Sequence, residues 1–236
     1  MKKILIVNGD SYGKAVLGLG DLVNDPEAMF REPEQFSLVM FTGGEDVTPE
    51  LYGESSPKGY CGNSRHRDLM EIKIFEFARK HNIRTIGICR GIQFINMMSG
   101  GTMFHHVENH GGCNHIMATS RGEEVLVNSY HHQMVLPPRD AHLIGWSKER
   151  RSKLYYGDMD LLVPSPSYET EAVLFPNTES AGAQYHPEMM SRSSDGYAWF
   201  YELAEHLINQ EDFNAIVTEY TGKACKDTDQ FMRAVQ

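Results

Sequence analysis

Cys89 has the sequence surroundings of a nucleophile. It stands between Ile83 to Ile88, an apolar run of strand length, and a segment from Arg90 onward with apolar residues at helical spacing. Gly87 and Gly91 flank it, as a tight turn with an exposed side chain requires. A helix N-terminus favours thiolate over thiol. The elbow alone leaves two interpretations open, a reactive nucleophile and a small buried hydrophobe, because most free cysteines are the latter.

A second segment, Gln184 to Glu188 (QYHPE), contains the groups that a cysteine nucleophile needs. A thiolate requires a base that takes and returns a proton, and an imidazole requires a carboxylate that fixes its tautomer. His186 and Glu188 supply both. Pro187 stiffens the backbone between them, and side chains at i and i+2 of an extended segment point to the same side. The two segments together predict a Cys89, His186, Glu188 triad.

The elements that would position this triad alternate between strands and helices along the chain. The predicted strands are Lys3 to Val7, Phe36 to Thr42, Ile83 to Ile88, Glu124 to Ser129, His142 to Trp146, Ala172 to Phe175 and Gly182 to Tyr185. The predicted helices are Asp68 to Lys80, Arg90 to Met98 and one that begins at Asp195 with Ser194 as a cap; Asn8 to Gly20 is predicted to be a loop. Such alternation predicts an α/β fold with a mainly parallel sheet, helices on both faces, and a site at the carboxyl ends of the strands.

Composition limits the classes of function. The 236 residues carry a formal charge of −10, which argues against nucleic acid or an anionic membrane as the partner. The apolar segment near Met1 is too short for a signal peptide, and no run reaches the length of a membrane span. Cys61, Cys89, Cys113 and Cys225 show no paired spacing, so we expect free thiols and a cytoplasmic location.

These motifs resemble the class I glutamine amidotransferase-like superfamily, and within it the gamma-glutamyl hydrolases of the gamma-glutamyl-gamma-aminobutyrate hydrolase type. The matching segments are Phe41 to Glu54, Arg67 to Ile72, Gly87 to Met103, Val127 to Gln133 and QYHPE. The resemblance implies one domain over residues 1–236, with three layers and a central sheet of flavodoxin-like topology. It also implies hydrolysis of a small-molecule gamma-glutamyl amide through a thioester on Cys89, without a cofactor.

The resemblance further implies roles for individual residues. The backbone N–H groups of Gly44 and Arg90 would form the oxyanion hole, and the charged cluster Arg67, Asp68 and Glu71 would position the Cys89 loop. The residues implied for substrate binding are Gln93, Asn128, Ser129 and His131. Two alternatives remain open: a glutaminase subunit that delivers ammonia to a separate synthase, and a non-catalytic binding or metal-responsive protein. The partner would be a second copy of the chain or that synthase.

Three regions depart from the family pattern. Ser147 to Thr170 is a long polar stretch, which we expect to be a mobile cover that selects the leaving group. His105 to His115 contains four histidines and Cys113; Cys113, His115 and two earlier histidines would make a tetrahedral zinc set. Because their spacing fits no zinc motif, we expect a polar loop at the rim of the site and no metal. The extension at 211–236 matches nothing.

Overall fold

A nine-stranded sheet forms the centre of the protein in a computed structural model that describes residues 2–221. The strands are β1 Lys3–Val7, β2 Asp21–Val23, β3 Phe36–Phe41, β4 Arg84–Ile88, β5 Thr102–Phe104, β6 His106–Val107, β7 Gly111–Thr119, β8 Glu124–Tyr130, β9 Met134–Leu136, β10 His142–Ser147, β11 Tyr155–Tyr156, β12 Thr170–Phe175 and β13 Ser180–Ala183. The α-helices are α1 Pro26–Arg31, α2 Arg65–Lys80, α3 Arg90–Met98, α4 Asp195–Asn209 and α5 Phe213–Thr221.

The sheet has a parallel half and an antiparallel half. Its strand order is β2-β1-β3-β4-β13-β12-β10-β7-β8. The first five strands pair in parallel, in the order of flavodoxin-like sheets, whereas β12, β10, β7 and β8 pair antiparallel. Two short antiparallel two-stranded sheets, β11 with β6 and β5 with β9, lie outside it. The predicted α/β fold is confirmed, and the antiparallel half extends it.

The two faces of the sheet build two separate hydrophobic cores. Side chains alternate along β1, so that Ile4 and Ile6 join the core that packs against α4 and α5, while Leu5 and Val7 join the core beneath α2 and α3. Because both faces are covered, the central strands are apolar on both sides. This is the predicted three-layer arrangement.

Element boundaries differ modestly from the predicted ones. Helix α2 begins at Arg65 rather than Asp68, and β13 runs from Ser180 to Ala183 rather than from Gly182 to Tyr185. The QYHPE segment follows this strand, as predicted. The predicted cap of α4 is confirmed, since Ser194 Oγ accepts a hydrogen bond from Tyr197 N. The predicted loop Asn8 to Gly20 contains a 3₁₀ helix, Asp10–Val16.

Strand pairing and hydrogen bonds hold the Ser147 to Thr170 stretch against the rest of the protein. Its strand β11 pairs with β6, and Tyr155 is buried. The carboxylate of Asp160 accepts hydrogen bonds from Ser56 Oγ (2.7 Å) and Lys58 N (2.7 Å). The expectation of a mobile cover is therefore wrong for the described structure: buried polar anchors hold the stretch against the segment around Ser56.

The histidine-rich segment and the C-terminal extension are also more ordered than expected. The polar rim loop predicted for His105 to His115 is wrong, because His105 and His110 are fully buried and β6 and β7 begin within it. Of the extension, α5 packs Ile216 and Tyr220 into the core, while residues 222–236 lie outside the described residues. None of the helices within residues 2–221 is long and apolar enough to cross a membrane.

Candidate active site

Cys89 lies at a strained turn between β4 and α3. Its φ of 53° and ψ of −109° fall outside the regions that side chains prefer, a conformation that costs about 1–3 kcal/mol and that clusters at functional sites. A Cβ on Gly87 would lie 2.3 Å from the Gly91 carbonyl carbon, and one on Gly91 would lie 2.1 Å from Phe41 O. Both glycines are therefore needed for the strand, the turn and the helix to pack this closely.

His186 and Glu188 face the Cys89 turn from the end of β13. His186 Nδ1 is 2.7 Å from Glu188 Oε1, and Cys89 lies near enough to the His186 ring to affect its pKa. Burial alone would lower the pKa of His186, but the hydrogen bonds and charges of Cys89 and Glu188 outweigh it and raise the pKa to about 10. At neutral pH the ring is therefore protonated, which suits an imidazolium beside a thiolate.

Asn128 fixes the backbone that carries His186. Its Oδ1 accepts from His186 N (2.8 Å) and its Nδ2 donates to His186 O (2.9 Å). Both polar atoms of the side chain are thus engaged, which does not fit the predicted substrate contact. Ser129 does not fit it either, because it is fully buried and its Oγ donates to His110 O (2.8 Å).

The two loops predicted to form an oxyanion hole meet beside Cys89. Gly44 follows β3 with a φ of 139°, and a Cβ there would lie 2.0 Å from Arg67 Nη1. The N–H of Arg90 belongs to the first turn of α3, whose N–H groups have no intrahelical acceptor. Both residues line the same cavity as Cys89. Two donors from different loops can therefore be directed at one oxygen.

A buried charge network holds these loops. The Arg90 guanidinium is 1 % exposed and pairs with Asp68 and Glu71, and its Nε donates to Glu45 O (3.2 Å). Arg67 pairs with Glu71 (2.8 Å) and its Nη2 donates to Gly43 O (2.9 Å). The network thus fixes the carbonyls on both sides of Gly44. A cluster that positions the Cys89 loop, as predicted for Arg67, Asp68 and Glu71, requires such a geometry.

The cavity over Cys89 has a volume of about 280 Å³ and is half open. Its lining residues are Gly44, Glu45, Asp46, Tyr60, Gly62, Cys89, Arg90, Gln93, Tyr130, His131, His132 and Gln133. Of the four residues predicted to bind substrate, Gln93 and His131 are among them. Burial lowers the pKa of His131 to about 3, so its ring is neutral. No residue of the 147–170 stretch lines this cavity.

Sequence reasoning missed two aromatic side chains at the site. Tyr12 and Tyr130 each place their ring 6.0 Å from that of His186. Burial, followed by the charges of Glu188 and Cys89, raises the pKa of Tyr12 to about 12, so the phenol keeps its proton. Tyr12 follows the carboxyl end of β1, and that position at the edge of a parallel sheet is the signal that could have identified it.

Known proteins similar to this chain include glutamine amidotransferase-like proteins. A profile of the Peptidase C26 family matches residues 22–123, which include Cys89 but not His186. A glutamine amidotransferase-like protein of Lactococcus lactis subsp. cremoris, the YvdE homolog, is 30% identical over 118 residues, 41% of this chain and 62% of that protein. The NtpR protein of Enterococcus hirae is 24% identical over 182 residues, 73% of this chain and 75% of that protein. The match to the first of these relatives therefore spans less than two thirds of its length.

Two solved structures share the fold over almost the whole chain. A glutamine amidotransferase of Thermotoga maritima aligns with a TM-score of 0.55 at 17% identity, covering 99% of this chain and 95% of that one. The glutaminase domain of Trypanosoma brucei CTPS, with bound acivicin, aligns with a TM-score of 0.56 at 12% identity, covering 97% and 99%. At these identities the likeness establishes the fold.

Proposed function

We propose that this member of the class I glutamine amidotransferase-like family, whose residues 22–123 match Peptidase C26, hydrolyses a gamma-glutamyl amide through a thioester on Cys89. The observation that carries the proposal is the His186–Glu188 hydrogen bond facing Cys89, which lies at a strained strand-to-helix turn and lines a cavity. The family supports a cysteine-type hydrolase acting on C–N bonds, and the gamma-glutamyl substrate is our inference. We place the reaction in the cytoplasm, where thiols stay reduced.

The proposed reaction starts from the Cys89 thiolate and the His186 imidazolium. The sulfur attacks the gamma-carbonyl carbon, and the oxygen that becomes negative accepts hydrogen bonds from Gly44 N and Arg90 N. His186 then gives its proton to the leaving amine, and the C–N bond breaks to leave the thioester. The neutral imidazole takes a proton from water, which attacks the thioester and releases glutamate and the thiolate. Glu188 keeps the ring oriented throughout.

The cavity suggests which groups meet each end of the substrate. Gln93 lines the cavity together with Cys89, and we propose that it contacts the amino-acid head. Tyr60 and His132 also line the cavity, and we propose that the leaving amine lies beside them. Because the 147–170 stretch supports the chain near Ser56 and does not line the cavity, its effect on selectivity would pass through Tyr60.

A screen of gamma-glutamyl amides that includes free glutamine tests this function. Mass spectrometry of the products should show glutamate and a larger amine, released faster than ammonia from glutamine. The rival is a glutaminase that supplies a separate synthase, because the same thioester serves both reactions. Ammonia from glutamine alone, with a rate that rises when a partner protein is added, would establish that rival and refute the hydrolase.

Selective labelling of Cys89 is the first expected result. A glutamine-like alkylating analogue should modify Cys89 well before Cys61 and Cys113, because the cavity brings the reagent to a sulfur that His186 assists. Exposure alone predicts the opposite, since Cys89 is 7% exposed while Cys113 is partly exposed. Peptide mapping after a brief reaction measures this. Faster labelling of Cys113 would show that accessibility, not an assembled site, governs reactivity.

The pH profile provides a second expected result, through the charge of Glu188. The pKa of His186 is raised from 6.5 to about 10. The stability that the protonated ring contributes through Glu188 and Cys89 is therefore fully present below pH 6.5, and it is lost as the pH rises through about 10. Glu188→Gln removes a charge that raises this pKa. We therefore expect the alkaline limb of kcat/KM to move to lower pH in Glu188→Gln, measured against wild type over a pH series. If the alkaline limb of kcat/KM does not move in Glu188→Gln, it reports the titration of a group other than His186.

A further inference from the structure

Three histidines and a glutamate lie together inside the antiparallel half of the sheet. Glu171 on β12 is fully buried, and His110, His115 on β7 and His131 after β8 surround it. From Glu171 Oε1 the distances are 2.8 Å to His115 Nε2, 3.7 Å to His110 Nδ1 and 4.0 Å to His131 Nε2. Three imidazoles, two from the segment around the start of β7 and one after β8, therefore converge on one carboxylate.

The polar atoms of this cluster are poorly satisfied by protein groups. Within the described residues, both carboxylate oxygens of Glu171, both ring nitrogens of His115 and Nε2 of His131 have no hydrogen-bond partner. The 2.8 Å contact of His115 with Glu171 is not aligned as a hydrogen bond. Buried polar groups without partners each cost about 1–3 kcal/mol, and more when charged. Such a concentration of unpaired acceptors calls for a ligand.

The surroundings of the cluster orient the ring of His131 as metal ligands are oriented. His131 Nδ1 is 2.8 Å from Gln133 O, so this nitrogen carries the proton and the lone pair of Nε2 points toward Glu171. A second carboxylate, Glu169, lies 3.4 Å from His110 Nε2 and is held by the backbone N–H groups of Arg151 and Ser152. Two buried carboxylates would balance the charge of one divalent cation.

We propose that His110, His115 and Glu171, whose ligand atoms lie within 4.8 Å of one another, bind a divalent transition metal of the zinc type. His131, which lies outside that group and 4.0 Å from Glu171 Oε1, would move in as the fourth ligand. Imidazole nitrogen and carboxylate oxygen bind zinc at about 2.0–2.2 Å, which in a tetrahedron separates the ligand atoms by roughly 3.4 Å. The observed separations from Glu171 Oε1, 2.8 to 4.0 Å, bracket this value. Four protein ligands and full burial describe a closed, structural site rather than one that holds substrate.

This metal would connect the core to the active site. It ties β7 and β12 to His131, which is adjacent to Tyr130, whose carbonyl oxygen is 4.0 Å from Cys89 Sγ. A fixed His131 would hold the Tyr130–Gln133 wall of the Cys89 cavity in place. The zinc set considered from the sequence, Cys113 and His115 with two earlier histidines, is not the cluster observed: Cys113 is turned toward Asn109 O and Arg151, and His110 is the earlier histidine that lies with His115 and Glu171. The expectation of no metal is the one that this proposal replaces.

Metal binding is tested in a Cys89→Ala background, because the thiolate beside His186 would itself bind zinc. The chelator-treated protein is dialysed with ZnCl₂, and elemental analysis should give one equivalent of zinc. CoCl₂ should produce the visible absorption of a tetrahedral site, and zinc should raise the thermal unfolding midpoint. Glu171→Gln and His115→Gln should each weaken the binding at least tenfold, by the loss of one ligand.

His66→Gln is the matched control, because His66 is exposed on α2 and should leave the stoichiometry at one equivalent. The proposal is overturned if the background protein holds well under one equivalent and zinc leaves its unfolding midpoint unchanged. It is also overturned if binding survives both ligand substitutions, or is lost in His206→Gln, since Glu202, His206 and Glu219 form a second, partly exposed group. Should a ligand variant fail to fold, the stoichiometry and midpoint of the background protein decide.

Discussion

Cys89→Ala is expected to abolish turnover while the protein stays folded. The substitution removes the atom that forms the thioester, so no step of the proposed route remains. In enzymes with such triads, loss of the nucleophile lowers kcat by about 10⁶ and loss of the orienting carboxylate by about 10⁴. We therefore expect His186→Ala to be nearly as severe as Cys89→Ala, and Glu188→Gln to be less severe. Product formation on the best amide of the screen measures all three.

Cys113→Ala is the control for the cysteine substitution, because Cys113 lies outside the cavity and should keep full activity. Intact-protein mass spectrometry of the wild type during turnover should show the added gamma-glutamyl mass, and the Cys89→Ala protein should lack it. The thermal unfolding midpoint reports whether the fold is intact. Full activity of a folded Cys89→Ala protein would refute the assignment of the nucleophile.

The parts of the site that the sequence predicts are those that lie within short segments. The Cys89 elbow follows from two glycines at fixed spacing between an apolar run and a helical pattern, and the structure places Cys89 at that turn. His186 and Glu188 are two residues apart, so their contact follows from local geometry. Their closeness to Cys89 was predictable because β4 and β13 are neighbouring parallel strands whose carboxyl ends meet.

The parts that the sequence did not predict depend on which way a strand faces. Successive residues of β8 point to opposite sides, so Asn128 reaches the His186 backbone while Ser129 turns toward His110. A motif match cannot decide that orientation. Glu171 was missed for a related reason: the pairing of β12 with β10, and of β10 with β7, brings it to His115 from a distant part of the chain.

The 147–170 stretch shows a further limit. Its polar composition and its prolines indicated an exposed loop, yet Asp160 and Glu169 are buried and form hydrogen bonds. Polar residues with buried partners stabilise a packed segment, and sequence patterns do not show whether partners exist. Ser56 and Lys58, which anchor Asp160, lie in the segment before α2, and no local pattern connects that segment with this stretch.

Arg90→Met is expected to have the largest effect on stability. It removes the cation that pairs with both Asp68 and Glu71, two carboxylates that are fully buried. Removing one partner of a buried ion pair costs about 3–5 kcal/mol when the remaining charge loses its compensation. Glu71 keeps its pair with Arg67, so the loss falls mainly on Asp68, which keeps only hydrogen bonds such as that from Thr48 N. A typical domain has only about 5–15 kcal/mol of stability. Urea denaturation followed by circular dichroism should show a large drop in the transition midpoint relative to wild type.

Arg31→Met is the matched control for this prediction. Arg31 is 66% exposed and lies 3.5 Å from Asp25, and such surface pairs contribute about 0–1 kcal/mol.

The triple variant Arg90→Met, Asp68→Asn, Glu71→Gln should recover part of the lost stability, since neither of the two buried carboxylates remains without its arginine. The backbone N–H at position 90 remains in each of these variants, but Arg90→Met loses the hydrogen bond from Arg90 Nε to Glu45 O. Turnover should therefore fall in Arg90→Met even at temperatures where it stays folded, through displacement of the Gly44 loop. Equal midpoints for Arg90→Met and Arg31→Met would show that the network does not stabilise the fold.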